Sequence, residues 1–249
     1  MNRLEFTRFP DLDYACSEAL NTLCANLSFV GSDKKKIMIT SSRASEGKSF
    51  LAINMMRTLA ALGKKVVLVD ADLRRSLILN RYGVKLLCES PQGLAHYLAG
   101  MCAVEDILFA TDIEGAYMVT TGREVTNSLS LLSTPLLASL LNALAQDFDV
   151  VLIDAPPVGV IIDAAEIAKS CDGTLMIVSY NETTRREMGE SKKQIERTGC
   201  PVLGAVLNNV TFDTLSSKKY YYSKYYYSHY AESGDRPAKK PRKWLKSAK

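Results

Sequence analysis

The chain has 249 residues, 47% of them hydrophobic and 23% charged, with a formal net charge of +4. That length buries one sizeable α/β core with extensions, and the composition is ordinary for a soluble globular protein. No apolar run reaches the roughly 18 to 20 residues that cross a bilayer, and MNRLEFTRFP is too polar to read as a secretory signal. The six cysteines (Cys16, Cys24, Cys88, Cys102, Cys171 and Cys200) show no CxxC spacing, which argues for reduced core thiols over a disulfide framework or a metal site.

In chain order, residues 1–30 read as an N-terminal helical segment, with the helix near Asp13–Leu27. The first strand is Lys36–Ile39, and the helix after it, Ser49–Leu62, stops at Gly63, a natural C-cap. A second apolar strand follows at Lys65–Val69. A long excursion then carries two short helices, Gly93–Leu98 and Val104–Leu108, before a strand at Tyr117–Thr120. Helix Ser133–Ala145, strand Val150–Ile153, helix Asp163–Ser170, strand Thr174–Ser179, helix Arg186–Thr198 and strand Val202–Leu207 complete the pattern. Short, continuously apolar strands alternating with helices predict a mostly parallel sheet with helices on both faces. Beyond about Thr211 the hydrophobic periodicity stops, so a core domain over 31–212 and a disordered tail over 213–249 are expected.

Three motifs sit at the ends of predicted strands. The first strand runs into TSSRASEGKSF, which closes on Gly47-Lys48-Ser49. That triplet is the chemical end of a phosphate-binding loop: glycine admits the phosphate close to the backbone, lysine neutralises its oxygens and the serine hydroxyl ligates Mg²⁺. The helix opening at Ser49 adds the positive end of its dipole. Ser42 stands where the strict pattern has its first glycine, so that pattern fails by one residue. The second motif, VVLVDADLRR, places Asp70 and Asp72 two residues apart at the end of a buried strand, where open α/β sheets hold ligands. The third, VVLIDAPP, puts Asp154 at another strand end, and Pro156 and Pro157 stiffen the turn behind it.

The C-terminal region is unlike the rest. Between Tyr220 and Tyr230 the chain reads YYYSKYYYSHY, seven of its twelve tyrosines in eleven residues. So many rings with Ser and Lys between them cannot all find an apolar wall and a hydroxyl partner, which predicts exposed phenols on a tether. From Asp235 the chain carries a local +6, leaving −2 over the other 234 residues. That basic end reads as a solvated solubility tail or as an attachment to an anionic membrane surface. One short arm is a poor case for nucleic acid, and none is expected.

Gly47-Lys48-Ser49, then DADLR, then VVLIDAPP, then the tyrosine cluster together resemble the bacterial tyrosine kinases (BY-kinases) of capsular and exopolysaccharide synthesis, over roughly residues 15–230. The resemblance implies a P-loop NTPase fold with ATP and Mg²⁺ as cofactors. It makes Gly47, Lys48 and Ser49 the Walker A motif, Asp70, Asp72 and Arg74 the Walker A′ motif, and Asp154 the Walker B acid. The cofactor loop is then Ser42, Arg43, Ala44, Ser45, Glu46, Gly47, Lys48, Ser49 and Phe50. The acceptors are Tyr220, Tyr221, Tyr222, Tyr225, Tyr226, Tyr227 and Tyr230. It also implies a membrane-embedded activator, as in the Gram-positive form, self-association with the tail phosphorylated in trans, a cognate phosphotyrosine phosphatase, and a cytoplasmic chain recruited to the inner face of the membrane. Two departures stand out. Ala44 occupies a position that is usually proline, and the ring-forming Glu-x-x-Arg-x-x-Arg helix motif reads Glu18, Asn21, Cys24, without either arginine.

In this reading Lys48 binds the β- and γ-phosphates, while Ser49, Asp72 and Asp154 hold the metal, partly through water. Asp70 accepts a hydrogen bond from the incoming phenol, which titrates near 10 and needs an acceptor; Asp70 and Asp72 are interchangeable at this level. Arg74 either steers substrate and stabilises charge or forms a structural ion pair. Asn208 and Asn209 either read the adenine edge or make an ordinary turn. The competing assignment is a partition or septum-positioning ATPase of the same branch. Such proteins carry a second lysine early in the loop, where this chain has Arg43, and lack a tyrosine tail. A catalytically silent scaffold is the third.

Overall fold

The computed structural model describes residues 2–31 and 33–210; the tyrosine cluster Tyr220–Tyr230 and the basic arm from Asp235 lie outside the described residues. The chain opens with β1 (Asn2–Phe6) and α1 (Tyr14–Ser28), then β2 (Lys36–Ser41), α2 (Lys48–Ala61) and β3 (Val66–Asp70). An outlying group follows: α3 (Ile78–Arg81), β4 (Val84–Leu86), α4 (Leu94–Leu98), α5 (Val104–Ile107) and β5 (Leu108–Ala110). The rest alternates: β6 (Ala116–Val119), α6 (Ser128–Leu132), α7 (Pro135–Asp147), β7 (Val150–Asp154), α8 (Asp163–Ala168), β8 (Gly173–Ser179), α9 (Arg185–Glu196) and β9 (Val202–Asn208).

Among the described residues the strands form one sheet in the order β4-β1-β5-β6-β3-β7-β2-β8-β9. From β6 to β9 every pairing is parallel. Antiparallel pairings occur towards the other edge, between β5 and β6 and between β1 and β4. Successive strand residues point to opposite faces, and that alternation divides the core in two. Val66, Leu68, Ile37 and Ile39 pack under α1 and α2 with Leu20, Met55 and Leu59. Val67, Val69, Met38 and Ile153 pack on the other face with Leu94, Leu140, Leu141 and Ile167. Each fully buried aliphatic side chain contributes roughly 1.5–3 kcal/mol. A strand buried on both sides therefore has no face free to slip in register.

The order β3-β7-β2 puts three motif-bearing strands side by side, with Asp70 opposite Asp154 across β3 and β7 and Ile39 opposite Asp154 across β2 and β7. All three strands run the same way, so their C-terminal ends open into one crevice, the usual ligand position in such a sheet.

The structure corrects several element expectations. The first thirty residues are not only helical: Leu4 and Phe6 of β1 are buried, and the strand joins the sheet between β4 and β5. Cys24 on α1 is 3% exposed, and burial pushes its thiol up to about 12. The last position of the ring-forming pattern is thus a core position here, and α1 contains no Lys or Arg. The excursion after β3 adds α3, β4 and β5 to the two expected short helices. The helix expected over Ser133–Ala145 starts at Pro135, where proline's fixed φ and missing N–H suit the first turn; a separate short α6 precedes it.

Candidate nucleotide and phosphoacceptor site

Gly47 is the N-cap of α2 at φ 95°, with no side-chain cap and no acidic residue in the first turn. The first amides of this fourteen-residue helix are therefore not taken by a capping side chain. A Cβ at Gly47 would lie 2.0 Å from Asn208 Nδ2, so both the dihedral and the space require glycine. Ser45 also adopts positive φ, 63°, an uncommon conformation for a residue with a side chain.

What holds that loop is Glu46, which is fully buried. Its Oε2 accepts from Arg43 N at 2.7 Å, and its Oε1 accepts from Ser179 N at 2.9 Å and from the Thr183 hydroxyl. Its backbone oxygen accepts from Asn208 Nδ2 at 2.9 Å. One carboxylate and one carbonyl thus tie the loop to the ends of β8 and β9 and to the start of α9. Asn209 Nδ2 in turn donates to Ser179 Oγ at 2.9 Å. Both asparagine amides donate to the scaffold. Arg43 points outward: Nε and Nη2 lie 2.9 and 2.5 Å from Glu187 Oε1 on α9. Ala44 is exposed and Phe50 half-buried, the latter's carbonyl accepting from Asn54 Nδ2 at 2.8 Å.

Lys48 is 9% exposed, and burial lowers its pKa against the opposing pull of Asp154, Asp72 and Glu46. Ser49 hydrogen-bonds Asp154. Asp70 and Asp154, paired across the sheet, are both raised, first by burial. Asp154's charge then raises Asp70 further, while Ser49 and Lys48 pull Asp154 back down. The Ser76 hydroxyl donates to Asp70 Oδ2. Oδ1 of Asp70, Oδ1 of Asp154 and Oγ of Ser42 are buried without a partner.

Asp72 differs from Asp70. Strand β3 stops at Asp70, and Asp72 lies half-buried in the following turn, its Oδ1 accepting from Arg75 N at 3.1 Å. The two acids differ in burial: Asp70 is fully buried at the strand end and Asp72 half-buried beyond it. Arg74 Nε and Nη2 lie 2.9 and 3.2 Å from Asp163 Oδ2 and Oδ1, so the ion-pair alternative holds for this guanidinium.

The turn behind Asp154 is pinned to β2. Thr40 Oγ1 donates to Pro156 O at 2.7 Å, and Val158 N donates to Ser41 O at 2.9 Å. A Cβ at Gly159 would lie 2.3 Å from Ser42 O, so this turn and the phosphate loop touch.

Orphaned carboxylate oxygens beside a buried lysine and an uncapped helix N-terminus fit Mg²⁺ with a nucleotide phosphate chain. The lysine and amides suit the phosphates, and Asp70, Asp154 and Ser49 suit the cation, whose shell phosphate oxygens and water would complete. Residues that sequence reasoning did not single out are Ser76, Asp163, Ser128 and Thr183; each is an ordinary polar residue whose partner is remote in sequence or sits on a turn.

The sheet order and this loop define a P-loop nucleotide-binding domain. The family model for an AAA domain matches residues 34–187. Tyrosine-protein kinase CpsD of Streptococcus pneumoniae serotype 4 is 34% identical over 203 residues, covering 82% of this chain and 87% of that protein. Among solved structures, the kinase domain of Escherichia coli tyrosine kinase ETK aligns with a TM-score of 0.75 at 26% identity over 84% of both chains. The BceF tyrosine kinase domain aligns at 0.71 with 31% identity, over 79% of this chain and 78% of that one. The chain belongs to the bacterial tyrosine-protein kinase family.

Proposed function

We propose that the chain is an ATP-dependent protein-tyrosine kinase tied to capsular or extracellular polysaccharide biosynthesis, and that its own C-terminal tyrosines are its acceptors. The observation that carries the site assignment is Lys48, buried at the head of an uncapped helix and facing Asp154 and Asp72. Bound ATP and Mg²⁺ supply the phosphoryl group and neutralise its developing charge. The Lys48 ammonium and the amides of Gly47 to Phe50 hold the β- and γ-phosphates. Ser49 and Asp154 would hold the cation, with Asp70 beside them, because its Oδ1 is buried and has no other partner.

Burial favours the exchanged assignment of the two Walker A′ acids. Asp70 is 0% exposed and already accepts from Ser76, whereas Asp72 is open to an incoming group. Asp72 would accept the hydrogen bond of the tyrosine hydroxyl, orient it and take its proton as the phenol oxygen bonds to the γ-phosphorus and the bond to the bridging oxygen breaks, with ADP leaving.

The tail supports the acceptor assignment by length and charge. Asn209 and Tyr225 are sixteen positions apart, an extended reach of about 50 Å, enough to enter a second copy's site. Each phosphotyrosine adds roughly −1.5 to −2 charge, so about four offset the basic arm. The family supports a membrane activator and a phosphatase as partner types, and a cytoplasmic chain at the inner membrane face. None of the described helices is long and apolar enough to cross a membrane.

The test is to incubate the full chain with ATP and Mg²⁺, with and without an activator's cytoplasmic segment, and to map phosphotyrosine. Phosphate on Tyr220–Tyr230, lost in Lys48→Met with an unchanged circular-dichroism spectrum, is expected. Release of free phosphate without phosphotyrosine would turn the assignment to an ATPase switch.

A further inference from the structure

We propose that Asp163 is a positioning residue for phosphoryl transfer, fixing through Arg74 the turn that presents Asp72 to the acceptor hydroxyl. This rests on the role given to Asp72 above. Because β3 ends at Asp70, Asp72 itself has no ladder partner; Ala71 N before it still donates to Asp154 O at 2.9 Å, and beyond that bond its place depends on what ties the turn down. One tie is local, from Arg75 N to Asp72 Oδ1. A second is backbone to backbone, from Val125 N to Leu73 O at 3.0 Å. The third is the forked pair of Arg74 with Asp163, whose side chain is 1% exposed against 38% for Arg74.

Asp163 does more than neutralise Arg74. Its Oδ2 also accepts from the Ser128 hydroxyl at the start of α6. Asp163 itself opens α8, nine residues after Asp154 along the loop that touches the phosphate loop at Gly159. One buried carboxylate therefore clasps the Walker A′ turn, α6 and the loop descending from the Walker B acid. A planar guanidinium bound through two nitrogens fixes both distance and plane, which a single hydrogen bond does not. Stability alone does not require such a group, since an apolar cluster of similar volume is often as stable. What the clasp adds is a defined position for the residue between two fixed points, Asp70 on the ladder and Arg74 on Asp163.

The experiment compares Asp163→Asn, Arg74→Gln, their double variant and Asp72→Asn in the full chain. It measures steady-state phosphorylation of a YYYSKYYYSHY peptide and Mg²⁺-dependent binding of a fluorescent ADP analogue. Misplacing the acceptor-facing acid lowers kcat by about 10- to 100-fold and leaves the KM for ATP and the analogue's affinity within about twofold. The double variant is no slower than the slower single one, because both remove the same clasp. Thermal melts confirm folding, and Arg74→Gln, at the partly exposed end of the pair, carries the test if Asp163→Asn does not fold. Wild-type kcat in both single variants would overturn the proposal. So would a loss confined to Arg74→Gln, which would put Arg74 on the substrate itself. Wild-type kcat in Asp72→Asn would remove the role of Asp72 on which the clasp depends, a failure distinguishable by the variant that shows it.

Discussion

The two ends of this sheet carry the same residue type in opposite conditions. Where β2 and β3 begin, aspartates have partners. Asp172 Oδ2 accepts from Lys35 N and Lys36 N at 3.0 and 2.8 Å, and its Oδ1 lies 3.3 Å from Lys36 Nζ. Asp149 Oδ2 accepts from Lys65 N at 2.8 Å. At the ends of β3 and β7, Asp70 and Asp154 sit side by side, each with one oxygen buried and unpartnered. Burying a carboxylate without partners is unfavourable, so the fold tolerates that cost at one end only. The partnered acids cap strands; the orphaned pair keeps unused acceptor capacity.

The largest effect that can break this contrast is at Asp70. Asp70→Asn should lower tyrosine phosphorylation by about 100-fold or more, as expected for a carboxylate that helps hold the cation at the reacting phosphate. It should also stabilise the nucleotide-free protein, since one of two adjacent buried charges disappears. Each kcal/mol regained raises Tm by about 2–4 °C for a chain of this size. The sign follows from the raised pKa. A carboxyl that is a weaker acid in the fold than in the unfolded chain opposes folding above its folded pKa and ceases to do so below its unfolded one. The gain therefore grows as pH rises towards the folded pKa and shrinks as pH falls; a calorimetric Tm gap between the two proteins that widened on acidification would contradict the account.

Asp172→Ala tests the other end and should do the reverse. Two strand-end amides lose their acceptor, for a cost of about 1–3 kcal/mol, read as a lower denaturation midpoint with kcat and KM unchanged. A kinetic defect without a stability loss would erase the distinction between the ends.

The smallest effect is expected at Glu187. The Thr184 amide, then Arg43, holds its carboxyl down at about 2. The stabilisation is present above the ordinary glutamate range and fades as pH falls through the folded value. The pair is solvent-exposed, so Glu187→Gln should move Tm at neutral pH by about 2 °C or less. A drop in kcat would show that Arg43, once released, matters to the chemistry.

How much was readable follows from what each feature depends on. Lys48, Asp70, Asp72 and Asp154 were legible because each follows an apolar strand, and a parallel sheet gathers strand ends in one crevice. Strand β1 was missed although Leu4 and Phe6 alternate with Arg3 and Glu5, because five residues of alternation are too few to outweigh the helix behind them. Cys24 is the core thiol that the cysteine pattern predicts, but its neighbour was not readable: its side of α1 faces Met55, with Sγ 4.0 Å from the Met55 carbonyl. Spacing tells which residues share a helix face, not which neighbour covers that face.

The sequence by itself determined the chemistry and its order along the chain: a phosphate loop, two acids, a third acid and a run of phenols. Local rules suffice for that, since glycine dihedrals, strand alternation and helix starts depend on near neighbours. Only the tertiary structure decided which of the two acids is fully buried and which half-buried. It also decided that Glu46 holds the loop through Thr183 and Ser179, and that Arg74 is bound to Asp163. Those contacts join residues 89 to 137 positions apart, and partners so distant are chosen by the packing of the sheet, which no local pattern records.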